Sequence, residues 1–382
     1  MPRQIPLARR LVFLSIPSLV LILLLAGIEG AVRLFLPHIS FLDALIQPEA
    51  LRVDVGQSKD SPLFMGDPLL FWRLRPNLKE VVWDFTVVST NAQGVRHDGD
   101  IGRKPAKGWR LLCLGDSVTF GYRVPLVFGQ VAGDYARDQL PYPLLVEKRL
   151  REANPGRQID VVPLAVPAYT SYQGLNWLRR DLPRYQPDVV TICFGWNDVG
   201  LRSVADRDSM PVDWLHVNAR ALMAHSQALI HFSWWPRRQT KRTVTSAGRL
   251  LPRVSQDDYV ANLLEAARLA RAQDAQPVFI APLYRDAIAN PAEAASIKQY
   301  RDALRAAAEK NRVAYVEVPE LTEAGYPGNN QLFGELIHPN YAGHDLLAGE
   351  LLKFLAAQGM LGTLNAPQNP MSAMEGRALF RP

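Results

Sequence analysis

The stretch LLCLGDSVTFG, Leu111–Gly121, opens as an apolar run, breaks at Gly115-Asp116-Ser117 and continues with residues that read as a helix. A short apolar run closed by a glycine turn predicts a buried strand, so the serine falls between a strand's carboxyl end and a helix start. Orphan backbone N–H groups at such a start favour developing negative charge. Ser117 therefore has two readings. It is an ordinary helix cap, or a nucleophile, which needs a base to take its proton and donors to receive an oxyanion. Gly115 would let the chain turn sharply off the strand. Asp116 suits a turn-fixing hydrogen bond to backbone better than proton transfer.

Working outward, strand-like and helix-like segments alternate from Trp109 onward. Arg110–Leu114, Ile159–Leu164, Val189–Phe194, Pro277–Pro282 and Val313–Val318 are short apolar or β-branched runs. Between them lie helical patterns at Pro143–Ala153, Gln173–Leu182, Asp257–Gln273 and Pro291–Asn311. That alternation predicts an α/β fold, a flavodoxin-like parallel five-stranded sheet with helices on both faces. Ligand sites in such sheets lie beyond the carboxyl ends of the strands. Both Gly115-Asp116-Ser117 and Gly195-Trp196-Asn197-Asp198 fall at such ends. The 2 cysteines, Cys113 and Cys193, each precede a strand-ending glycine by two positions. They read as buried free thiols, the demanding geometry of a disulfide being the alternative.

The chain has 382 residues, 48% of them hydrophobic and 21% charged, with a net charge of +6. That is globular composition, with length for one large domain and attachments. Several basic residues flank a single apolar segment, so a nucleic-acid partner has little support. No zinc-ligand cluster, phosphate loop or dinucleotide fingerprint occurs. Leu11–Ile28 is apolar apart from Ser15 and Ser18 and follows Arg3, Arg9 and Arg10. It is long enough to span a bilayer, and the flanking charge predicts the amino terminus inside. A retained signal anchor is expected over 11–35 after a cytoplasmic 1–10; a cleaved signal peptide is the rival, since Ala26 and Gly27 are small.

Residues 36–108 read as a small β-rich collar with strands in Phe71–Asn77 and Glu80–Thr90, structural in role, with Trp72 and Trp83 as alternative carbohydrate contacts. The α/β domain is expected over 109–360. Its insertion, 199–254, carries a helix over Trp214–Trp235, then Trp234-Trp235-Pro236-Arg237-Arg238 and Lys241-Arg242. That segment could cap the active site, lie on a membrane or anionic polymer, or be a solvated surface helix. The tail, 361–382, reads as poorly ordered.

Later in the chain come His338-Pro339-Asn340, within GELIHPNYAGHDLLA, and Gly195-Trp196-Asn197-Asp198. With Gly115-Asp116-Ser117 they occur in the order seen in the SGNH, or GDSL, family of serine esterases and acylhydrolases, which 110–355 resembles. The resemblance implies Ser117 as nucleophile, His338 as base, and Glu335, where the family usually has aspartate, as the acid orienting the imidazole. It implies an oxyanion hole from the Ser117 and Ala168 backbone N–H groups and the Asn197 carboxamide, while Asp198 steadies the loop. Ala168 stands where the family usually has glycine. An N–H survives there, but a positive φ would strain an alanine. His344, His216, His225 and His231 are read as packing or surface residues.

Ester hydrolysis through an acyl-enzyme is implied, with no cofactor or metal, by a membrane-anchored bacterial protein facing the periplasm or exterior. Lipid esters, small acyl esters and acetylated envelope glycans are the candidate substrates. A polysaccharide O-acetyltransferase of the same fold, or a catalytically silent assembly protein, are the alternatives.

Overall fold

The computed structural model describes residues 7–46, 61–129, 132–239, 250–283, 291–318, 329–334 and 337–368. Five parallel strands form the central sheet: β1 (Trp109–Gly115), β2 (Ile159–Ala165), β3 (Val189–Cys193), β4 (Gln276–Ile280) and β5 (Ala314–Val316). Their spatial order is β2-β1-β3-β4-β5. This is the flavodoxin-like order, and it reverses direction between β1 and β3. Gly115, the last residue of β1, pairs with Ala165 on one side and Cys193 on the other. Three strand ends therefore meet at the switch point.

Strand residues alternate between two cores, as period-two geometry requires. Leu112, Leu114, Val162, Leu164, Val190 and Ile192 face helices Ser171–Tyr185, Gln256–Arg271 and Pro291–Lys310. Leu111, Cys113, Val161, Val189 and Cys193 face helices Tyr142–Ala153 and Tyr341–Ala357. Both faces are covered, so the strands are mostly apolar on both sides, Arg110, Asp160 and Thr191 being among the exceptions. Cys113 and Cys193 are free and buried.

The segment before the sheet carries short strands, and its first hairpin joins the core of the sheet. Phe64–Asp67 pairs with Phe71–Leu74, and both pack into the same core as β1 and β2. Trp72 is fully buried, which removes it as a carbohydrate contact; its indole N–H donates to Pro167 O at 3.3 Å. The Glu80–Thr90 run is a hairpin, Val81–Trp83 against Thr86–Val88, turning at Asp84-Phe85. Both turn residues have positive φ, 40° and 61°.

The insertion also departs from expectation. Its helix is broken into Trp214–Met223 and Gln227–Gln239. The second helix has its own start: Ser226 Oγ accepts from the Leu229 N–H at 3.1 Å, and the Glu29 carboxylate takes the N–H groups of Gln227 and Ala228, each at 3.0 Å. The second of these helices packs against Leu7–Phe35 and Phe41–Leu45, and the first packs against the second. Within the N-terminal helix, Ser15–Phe35 has mean hydropathy 2.1 and is long and apolar enough to cross a membrane. The side chains of the tip from Trp234 to Arg242, residues 1–6 and the tail beyond 368 lie outside the described residues.

Candidate active site

The turn after β1 is built by close approach. A Cβ on Gly115 would run into the Thr119 side chain and lie 3.0 Å from the Cys193 carbonyl oxygen, so the strand turns into the helix only with glycine there. Asp116 caps helix Ser117–Phe120, its carboxylate accepting from the Val118 N–H at 3.0 Å. The cap is thus Asp116, and Ser117 is the first helical residue. Its hydroxyl is left for another partner, the imidazole of His338, with Ser117 Oγ 2.7 Å from His338 Nε2. His338 lies just before helix Tyr341–Ala357, which Asn340 caps by accepting from the Gly343 N–H at 3.1 Å. The fold brings together two residues 221 positions apart. Glu335 lies outside the described residues.

Asn197 comes from the end of β3. Gly195 caps its short helix at φ 153°, where a Cβ would fall 2.6 Å from Pro282 Cγ. The Asn197 amide donates to Tyr169 O at 2.9 Å and approaches the Asp116 carboxylate at 3.4 Å. It is therefore held between the β1 loop and the β2 loop. Burial pushes the Asp116 carboxyl up to about 7, against the Val118 N–H and the Asn197 amide, which favour its charged form. Asp198 accepts from the Ser171 N–H and hydroxyl, tying the β3 loop to the next helix. Burial pushes its carboxyl up to about 8 in spite of those bonds.

Ala168 has φ 68°, the conformation in which alanine is strained. The surroundings impose it. Arg253, fully buried, donates to Ala168 O at 3.0 Å and forms a two-pronged pair with Asp206 at 3.1 and 3.0 Å. Asp206 in turn accepts from the Thr170 hydroxyl at 2.8 Å. On the other side, Trp72 holds Pro167 O, and the Tyr169 hydroxyl donates to Trp72 O. No described acceptor takes the backbone N–H of Ser117 or of Ala168.

Sequence reasoning missed Arg253 and a second group, the wall beside His338. The Tyr122 ring lies 4.5 Å from the imidazole, centroid to centroid, and its hydroxyl donates to Asp84 at the hairpin turn. Arg123 stacks over Tyr122 at 4.9 Å and Phe85 at 5.4 Å. Phe85, Leu126 and Phe128 are exposed, with the two phenyl rings 6.3 Å apart. No sequence signal marks this wall; the positive φ of Phe85, 61°, emerges only in the structure. His344 is buried, as a packing residue; Nδ1 accepts from the Tyr142 N–H at 3.2 Å, and burial pulls its pKa down to about 3. His216 pairs with Asp213, and His231 meets Pro37 O. Among the described residues no cluster of metal-ligating side chains occurs.

Solved structures similar to this chain include the following three. An α/β-hydrolase from the metagenome of Lake Arreo, Spain, is 20% identical over 69% of this chain and all of its own (100%), with a TM-score of 0.43. An acetylxylan esterase from Geobacillus stearothermophilus is 20% identical over 67% of this chain and 95% of its own, TM-score 0.41. A lipase/acylhydrolase from Enterococcus faecalis is 17% identical over 68% and 99%, TM-score 0.42. No curated protein matches the sequence significantly. The model of the GDSL-like lipase/acylhydrolase family matches residues 113–346, from the strand before Ser117 to the helix after His338. The chain belongs to that family and is a carboxylic-ester hydrolase.

Proposed function

We propose that this protein hydrolyses acyl or acetyl esters, of lipid or cell-envelope glycan, through an acyl-enzyme on Ser117, outside the cytoplasm. The observation that carries the reading is the 2.7 Å contact between Ser117 Oγ and His338 Nε2. His338 takes the serine proton as the oxygen attacks the ester carbonyl, then returns it to the leaving alcohol. In the second half-reaction it deprotonates water, which attacks the acyl-serine and releases acid. The N–H groups of Ser117 and Ala168 and the Asn197 amide receive the oxyanion. That role is supported by the Ser117 and Ala168 N–H groups, which have no acceptor among the described residues, and by the neutral Asn197 amide held between the β1 and β2 loops. Glu335 is the acid proposed to orient His338. No cofactor enters this scheme.

A single-pass anchor in the bacterial inner membrane, its catalytic domain periplasmic, is the location we propose. The apolar span and the arginines before it support it. The test is turnover of p-nitrophenyl acetate by the full chain and by Ser117→Ala and His338→Ala. Each variant is expected to lose nearly all turnover while folding normally. Undiminished turnover in either would overturn the assignment.

A further inference from the structure

We propose that the insertion helices Trp214–Met223 and Gln227–Gln239 lie in the headgroup–acyl boundary of the bilayer that holds the N-terminal helix. They form a second, monotopic attachment beside the spanning one; this rests on reading the N-terminal helix as membrane-spanning. The argument begins with level. The apolar run Leu11–Ile28 rises roughly 27 Å at 1.5 Å per residue, close to a hydrocarbon thickness. It ends at Glu29, so Glu29 marks the boundary. That residue is also the one that docks the insertion.

Glu29 accepts from the Ser226 hydroxyl at 2.7 Å and from two N–H groups of the second insertion helix, and pairs with Arg33 at 2.6 Å. Arg33 reaches His225 O at 3.3 Å. Gln227 grips the Ile39 backbone in both directions, each bond 3.0 Å. The insertion is thus fixed to the chain where it leaves the apolar span.

What the helices show to their surroundings fits lipid. Trp214 is 78% exposed and Phe232 79%, and Leu215, Leu222 and Leu229 are exposed as well. Leu215 and Leu222 are seven apart, one face of a helix; Leu229 and Phe232 are three apart on the next. Leu34 and Phe35, at the end of the membrane-length helix, are exposed too. Unpartnered apolar faces of this kind are rare on soluble domains and suit the interface, where tryptophan concentrates. The sequence then continues with Arg237, Arg238, Lys241 and Arg242, a charge complement to anionic headgroups.

The experiment places one spin label at a time on the full chain in nanodiscs of mixed phosphatidylcholine and phosphatidylglycerol. Single substitutions Leu21→Cys, Leu222→Cys, Phe232→Cys and Glu152→Cys supply the sites; native Cys113 and Cys193 are buried. Glu152 is an exposed residue of helix Tyr142–Ala153. Collision with oxygen, which partitions into lipid, is compared with collision with a water-soluble nickel chelate. Labels at 21, 222 and 232 are expected to show an oxygen-to-nickel ratio several-fold above that at 152. Lipid values at 21 with water values at 222 and 232 would overturn the proposal alone. Water values at 21 would overturn the membrane reading beneath it. Dipolar broadening at 222 that vanishes on dilution with unlabelled protein would assign the face to a second copy, and would also overturn it.

Discussion

Replacing Ala168 by glycine tests the strain in the β2 loop. At φ 68° a residue with a Cβ sits in the left-handed region, which costs an L-amino acid roughly 1–2 kcal/mol. Glycine escapes that cost but gains unfolded-state freedom, worth about 0.4–1 kcal/mol against it. The difference leaves Ala168→Gly more stable by roughly 0–1.5 kcal/mol. At about 2–4 °C per kcal/mol for a domain of this class, Tm rises by at most about 6 °C. Ala168→Val moves the other way, because a β-branched residue tolerates this φ least; it is expected to lose roughly 1–3 kcal/mol. Urea unfolding followed by tryptophan fluorescence, with equal m-values required, reads both. The N–H survives in each variant, so Ala168→Gly keeps its turnover. A glycine variant destabilised by more than about 1 kcal/mol, or a neutral valine variant, would refute the strain argument.

Asn197→Ala removes an amide donor held between two loops and is expected to lower kcat about 10²–10³-fold with KM little changed; steady-state kinetics with p-nitrophenyl acetate checks it. Arg253→Met leaves Asp206 buried without its cation and frees Ala168 O. A loss of about 3–5 kcal/mol in urea unfolding is expected, with turnover falling alongside. Tyr122→Phe keeps the ring on His338 and loses the tether to Asp84, so kcat falls by less than about tenfold, whereas Tyr122→Ala falls further. His97, between Glu147 and Gly99 O, has its pKa raised: burial opposes the charge but the bond and charge of Glu147 outweigh it. A raised histidine stabilises fully below its unfolded pKa of about 6.5 and less as pH climbs through the folded value. Asp116 titrates in the same direction, so the readout is a difference: His97→Gln is expected to flatten the fall in stability above neutral pH, and an unchanged slope would refute the assignment.

The sheet was legible because its strands are apolar on both faces and its helices carry their own period. Ser117, Asn197 and His338 were legible because each sits at a strand end or helix start marked by glycine or proline. Ala168 was readable as a departure, and its positive φ bears out the concern about strain. Arg253 was not readable, since a lone arginine after an insertion gives no hint that it will be buried against Asp206. Nor was the hairpin that brings Asp84 and Phe85 to the wall beside His338, because the alternating pattern of Glu80–Thr90 looks the same whether extended or folded back. The broken insertion helix has a local cap in Ser226, but the Glu29 carboxylate that joins it at the same end comes from nearly two hundred positions away.

The most direct test of the central claim is covalent capture of the nucleophile. The full chain treated with a fluorophosphonate should gain one adduct by intact mass. Peptide mapping should find it on Ser117, and both Ser117→Ala and His338→Ala should abolish or strongly slow it. Folded wild-type protein that stays unlabelled, or an adduct on another residue that survives Ser117→Ala, would contradict the account.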